Sequence, residues 1–257
     1  DKIIARKKTE VEISKSLFSS KVLESSLYFE RKTNSLSLAI SKAQNIGIIA
    51  EHKRKSPSKG MINDGLELEF VVESYVNAGC VGLSILTDTR FFGGSYLDLL
   101  LARKINAHIP IIRKDFIIDP YQIIEAKAWG ADVVLLIAAN LSVKQCRELA
   151  VFAQSLGLET LLEVHNLEEL QQYLNPNINM VGVNNRNLKT FEVNISTSIE
   201  LAEHIPNHLP KISESGIHNV EEMRLLNNKG FKGFLIGESL MKTHNPGQAL
   251  SQLLQKF

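Results

Sequence analysis

The chain has 257 residues, 44% apolar and 22% charged, with a formal net charge of +1. That composition suits a globular protein with one large core, and the near-zero balance excludes a bulk field that would draw nucleic acid or an acidic membrane surface. Cys80 and Cys146 are the only cysteines and sit in apolar-patterned segments, so no disulfide framework or cysteine zinc site is expected and a reducing cytoplasm fits.

No apolar run reaches the length of a membrane span, and no signal-type apolar stretch opens the sequence. A start at Asp1 suggests a trimmed initiator and leaves room for a lost presequence. Residues 1–45 read as a helical extension, because Ile3, Ile4, Val11 and Leu17, then Leu23, Leu27 and Phe29, recur at helical spacing among charges. Within it the Arg6-Lys7-Lys8 cluster reads as a solvated helix face. A further short helix is expected over 35–43.

From residue 46 the pattern alternates. Apolar runs of strand length fall at 46–51, 81–86, 109–112, 133–137, 159–163, 180–183, 210–213 and 233–237. Helical patterns follow at 68–77, 97–107, 121–129, 143–156, 167–173, 195–204, 220–227 and 239–242. Eight strand–helix pairs with short connections predict an α/β protein: a parallel sheet closed into a single (β/α)8 barrel. One domain over 1–257 is expected, with the helical extension at 1–45 and the barrel at 46–257. An open doubly wound sheet is the alternative, but no Gly-x-Gly-x-x-Gly follows the first run.

In such a barrel the reacting groups stand at the carboxyl ends of the strands. The first run passes into Glu51-His52-Lys53-Arg54-Lys55-Ser56-Pro57-Ser58-Lys59-Gly60. Residues two apart share a strand face, so Glu51 and Lys53 emerge together while His52 faces the helix layer. The small residues at the end of this loop suit a lid. Later strands end in Leu86-Thr87-Asp88, Arg113-Lys114-Asp115-Phe116, Glu163-Val164-His165-Asn166, Asn184-Asn185-Arg186-Asn187, Ser213-Glu214-Ser215-Gly216 and Gly237-Glu238. Ionisable groups after this many apolar runs converge on one mouth.

Lys114 and Glu163 are the best acid and base candidates, with a Schiff-base role for the lysine as the rival reading. His165 is read as a hydrogen-bonding loop residue. Ser215-Gly216 and Gly237-Glu238 each join a strand to a helix, the setting of the phosphate site common after the last two barrel strands. Glu238 is expected to turn its carboxylate away and bind through its backbone. No His, Asp or Glu grouping has metal-ligand spacing.

These segments, with Phe91-Phe92-Gly93-Gly94-Ser95 and Asp119-Pro120-Tyr121-Gln122, resemble indole-3-glycerol-phosphate synthase over about residues 5–245. The resemblance implies ring closure of 1-(2-carboxyphenylamino)-1-deoxyribulose 5-phosphate, with loss of CO2 and water, and no cofactor or metal. Carried over by motif, Lys114 is the acid that protonates the ketone oxygen, and Lys53 holds the leaving carboxylate. Glu163 is the base of the later dehydration, with Glu51 assisting. Asn184, Arg186 and Ser56 position substrate, Glu214 supports the site, and Pro57, Phe92, Phe116 and Leu135 wall the anthranilate ring. Ser215, Gly216, Gly237 and Glu238 take the phosphate. The chain departs from the family pattern at His52, Asn140 and Glu238. A monofunctional, cytoplasmic monomer is implied, with room for association with other tryptophan-pathway enzymes and no nucleic-acid or membrane partner. Two alternatives stay open on the residues alone: a sugar-phosphate isomerase or Schiff-base aldolase, and a non-catalytic binder of phosphorylated ligands.

Overall fold

In the computed structural model, which describes residues 2–188, 190–217 and 219–257, eight parallel strands close into a barrel. They are β1 (Gly47–His52), β2 (Gly82–Leu86), β3 (Ile111–Lys114), β4 (Val133–Ile137), β5 (Glu159–Val164), β6 (Met180–Asn184), β7 (Lys211–Glu214) and β8 (Phe231–Ile236). Each strand pairs with its sequence neighbours, and β1 pairs with β8 to close the ring. Asp1 lies outside the described residues.

Strand alternation separates two cores. Ile49, Ile112, Val133, Leu135, Leu161, Met180, Ile212 and Leu235 cluster within the barrel. The opposite parity, including Ile48, Leu83, Ile85, Val134, Leu136, Leu162, Val181 and Phe234, packs under the helices. Capping boxes fix two helix starts: Asp119 with Gln122 ahead of Pro120–Ala128, and Ser142 with Gln145 ahead of Val143–Ser155. The expected helices over 68–77 and 167–173 form as Leu68–Asn77 and Leu167–Tyr173. Four described elements have no counterpart in the sequence reading: a hairpin of Lys55–Ser56 with Gly60–Met61, a short helix Thr89–Phe92, a 3-10 turn Ala138–Asn140, and a final helix Pro246–Lys256. The final helix packs on Leu68–Asn77.

The extension forms helices Lys2–Leu17, Ser20–Glu24 and Leu36–Lys42. Leu36 and Ile40 of the third are fully buried and join the barrel-interior cluster, sealing the end opposite the mouth. The apolar pattern over the first two misleads in part, since Leu17 and Leu27 are 68% and 86% exposed while Val11 and Leu23 are buried. The basic cluster is not a solvated face at Lys7. Its ammonium is buried, 2.9 Å from Asp88 and 2.8 Å from Asp115, and Glu10 lies 2.8 Å away. Ile3, Lys7 and Val11 share one helical stripe, so the stripe that carries Val11 inward carries the lysine onto the loops after β2 and β3. Burial opposes its charge, but Asp115 and Asp88 outweigh that and hold its pKa well above the usual lysine range.

His52 faces the helix layer, as strand parity requires. It is 2% exposed and its Nε2 has no hydrogen-bond partner. Burial, with Arg54 nearby, pushes its pKa from 6.5 down to about 4. The unfolded chain therefore binds the extra proton first. Stability contributed by keeping this ring neutral is present above about pH 6.5 and is lost as pH falls toward about 4. His52→Leu is expected to flatten the fall in urea-unfolding free energy across that window. An unchanged slope would show that the ring does not set it.

Candidate active site

At the carboxyl ends of the strands lies one cavity of about 580 Å³, lined by all sixteen residues selected from sequence: Glu51, Lys53, Ser56, Pro57, Phe92, Lys114, Phe116, Leu135, Glu163, Asn184, Arg186, Glu214, Ser215, Gly216, Gly237 and Glu238. Register explains the convergence. Glu51 pairs with Ser84, Glu163 with Ile137 and Gly182, and Asn184 with Glu214, so inward-facing ends of adjacent strands stand side by side.

Lys114 is the centre. Its Nζ lies 2.5 Å from Glu214 Oε2 and 3.3 Å from Glu163 Oε2. Burial opposes its charge, but Glu214, Glu163 and Glu51 together hold the ammonium well above the usual lysine range. Glu214 behaves oppositely. Burial, reinforced by Glu163, pushes its carboxyl from 4.5 up to about 7 against the pull of Lys114. Glu163 stays ionised despite burial, held below the usual carboxylate range by Lys114, His165 and the Asn184 amide, which donates at 3.0 Å. Space beside this cluster is tight: a Cβ on Gly182 would lie 2.2 Å from Glu214 Oε1 and force that carboxylate to shift.

A second ion pair stands across the mouth. Lys53 Nζ is 2.7 Å from Glu51 Oε1, and the Ser84 hydroxyl donates to Glu51 Oε2 at 3.2 Å. Lys53 and Lys114 outweigh burial and keep Glu51 ionised. Nearby, Phe92 and Phe116 form a tilted pair with ring centroids 6.0 Å apart, and Leu135 adds apolar surface. The Ser56–Pro57–Ser58 segment belongs to the hairpin after β1, which is tethered where Arg54 Nη1 meets Asp98 Oδ2 at 2.5 Å. The expected open loop is thus a pinned hairpin.

On the far side, Ser215 and Gly216 both have left-handed backbone, with φ of 66° and 71°. A Cβ on Gly216 would meet Val193 Cγ1 at 1.9 Å. Gly237 precedes the one-turn helix Glu238–Met241. The carboxylate of Glu238 is drawn off by Lys242 at 2.6 Å, with Arg186 Nη2 at 3.9 Å. Arg186 also donates to the Phe191 carbonyl at 3.4 Å.

Sequence reasoning passed over several contributors. Asp88 and Asp115 line the cavity while holding Lys7, and Ile3 of the N-terminal helix lines it too. Phe191 lines it with a positive φ of 60°. Asn185, next to Asn184, fastens the β6 end to β7 through the Ser213 hydroxyl (2.9 Å) and the Ser215 carbonyl (3.1 Å). Among the described residues no group of His, Cys, Asp and Glu could hold a metal ion. No described helix is long and apolar enough to cross a membrane.

Residues 1–253 match the family model described as indole-3-glycerol phosphate synthase. A protein of that name from Bacteroides thetaiotaomicron is 48% identical over 253 residues, covering 98% of this chain and 96% of its own. Another, from Chromobacterium violaceum, is 46% identical over 206 residues, covering 80% of this chain and 77% of its own. Among solved structures, 3-hexulose-6-phosphate synthase from Salmonella typhimurium is similar at a TM-score of 0.64 and 12% identity, over 82% of this chain and 99% of that one. That likeness is one of fold alone.

Proposed function

Since the chain belongs to the indole-3-glycerol phosphate synthase family, we propose how its own residues perform the ring closure that defines the family. The enzyme is a carbon–carbon lyase of tryptophan biosynthesis. It converts 1-(2-carboxyphenylamino)-1-deoxyribulose 5-phosphate to indole-3-glycerol phosphate, CO2 and water.

The observation that carries the assignment of roles is Lys114 held between Glu214 and Glu163 at the rim of an aromatic-walled cavity. Phe92, Phe116, Leu135 and Pro57 suit the flat anthranilate ring, and Lys53 suits its carboxylate. The ring carbon bearing that carboxylate attacks the ketone carbon, and the carbonyl π pair moves to oxygen, which takes a proton from Lys114. The C–CO2 bond then breaks, its electrons returning to the ring and nitrogen. In the dehydration Glu163 removes a carbon-bound proton and passes it to the hydroxyl, which leaves as water while the C–H pair forms the new ring double bond. Glu51 assists, while Asn184, Arg186 and Ser56 hold the ribulose chain. Ser215, Gly216, Gly237 and the backbone of Glu238 take the phosphate, since the Glu238 carboxylate is already occupied by Lys242.

An acid as strongly held as Lys114 gives up its proton more readily when one of the carboxylates holding it becomes neutral. Glu214, with its carboxyl raised to about 7, is the one placed to do so. The same reading has residues 1–45 and the barrel working as one domain, joined through Lys7. It also has a monomer at work in the cytoplasm, with the sixteen proposed site residues drawn from one copy.

Purified protein mixed with the carboxyphenylamino-deoxyribulose phosphate is expected to give indole fluorescence and one CO2 per indole. Absence of fluorescence would end this reading. A covalent adduct on Lys114 after borohydride treatment would replace it with Schiff-base chemistry.

A further inference from the structure

One half-buried side chain beside the mouth has no part in the scheme above. His165 follows the end of β5, and its ring is strung between two carboxylates. Its Nδ1 lies 3.2 Å from Glu169 Oε2, an oxygen that also accepts from the His165 backbone N–H at 2.8 Å. Its Nε2 lies 3.5 Å from Glu163 Oε1, is buried, and has no hydrogen-bond partner. Side-chain exposure rises along the row from 5% at Glu163 to 12% at His165 and 19% at Glu169. On the inner side Glu163 touches Lys114 at 3.3 Å. The row Glu169, His165, Glu163, Lys114 therefore runs from solvent to the proposed acid.

The reaction has a use for such a row. The substrate carboxylate departs as neutral CO2, so one negative charge disappears and each turnover takes up one proton from water. The water released needs two protons beyond the ketone oxygen. One comes from Lys114 during closure, and the other is the carbon-bound proton removed by Glu163. Lys114 is thus left as a free amine, and the proton that restores it must come from outside. Glu214 eases release but is 2% exposed, which leaves it poorly placed to collect protons from solvent.

We propose that His165 is a positioning residue acting through Glu163: it delivers solvent protons by way of that carboxylate to Lys114, with Glu169 as the outer acceptor. The imidazolium gives its Nε2 proton to Glu163 Oε1, and Glu163 gives a proton from its carboxyl group to the Lys114 amine. The neutral ring then turns over so that its remaining N–H faces Glu163, and water re-protonates the other nitrogen by way of Glu169. No electrons move and no co-reactant is needed. The groups facing the ring are Glu163, Glu169 and, farther off, Glu214, all of which favour its charged form against burial.

The inference rests on the proposed roles of Lys114 and Glu163, and the test separates the two. Wild-type turnover of the substrate examines the function; His165→Gln and Glu169→Gln examine the relay. In His165→Gln the first turnover is expected at close to the wild-type rate, followed by steady turnover slowed about tenfold, less than loss of the acid itself. KM should stay within about twofold, and the burst should vanish toward low pH as protons become plentiful. Added imidazole should restore part of the steady rate, and Glu169→Gln should show the same pattern more weakly. A wild-type steady rate and pH profile in His165→Gln would overturn the proposal. So would a first turnover slowed as much as later ones, which marks a purely structural role.

Discussion

Replacing Lys114 with methionine is expected to lower kcat by about two orders of magnitude or more, the loss that follows removal of a positioned acid. Methionine keeps much of the stem length and removes the proton. The neighbours amplify the effect. Without the ammonium, Glu214 and Glu163 face each other with no cation between them, and a carboxyl already raised to about 7 at Glu214 moves higher still. KM should change far less than kcat, because phosphate and aromatic contacts lie elsewhere in the mouth. Steady-state fluorescence of indole formation with and without saturating substrate separates the two. A wild-type kcat would remove Lys114 from the chemistry.

Lys7→Met is expected to cost stability rather than chemistry, by about 3 kcal/mol, the range found when one partner of a buried ion pair is deleted. Asp115 would keep the Thr87 hydroxyl at 2.5 Å and Arg113 at 3.4 Å. Asp88 Oδ1 would keep the Phe91 N–H at 2.7 Å, but its Oδ2, 2.9 Å from Lys7, would lose its cation. Urea unfolding of Lys7→Met, alone and combined with Asp88→Asn, measures this. The double variant should recover part of the loss, because the stranded charge has gone. A single variant with the wild-type midpoint would return Lys7 to the solvated face read from its neighbours in sequence.

That misreading shows where sequence legibility stops. Barrel strands announce themselves because both faces are buried, and the interior row from Ile49 to Leu235 could be read from parity alone. Parity also placed Glu51 inward and His52 outward. Position at a strand end then brought Lys114, Glu163 and Glu214 to one cavity without any knowledge of their distances. Lys7 failed because charge usually means solvent, yet its place between Ile3 and Val11 on one helical stripe was visible. His165 reads as a hydrogen-bonding loop residue, and it does bond Glu169, a helical turn further on; sharing strand parity with Glu163 it also lies on that carboxylate's side, and only the 3.5 Å approach had to come from the fold. The hairpin after β1 escaped notice because two-residue strands carry too little alternation to register. The final helix follows the eighth strand–helix unit and belongs to no repeat of the alternating pattern.

Closure of the ring between β1 and β8 bears on how the chain is made. Glu51 sits on the first strand, yet Gly237, just past the last, comes so near that a Cβ there would lie 2.7 Å from Glu51 Oε1. During synthesis the opening strand must wait, its edge unpaired on one side, until the eighth strand, about 180 residues later, has left the ribosome. Competence therefore arrives late and all at once, and a nascent chain stalled before its eighth strand is a sticky half-ring with its first carboxylate unplaced.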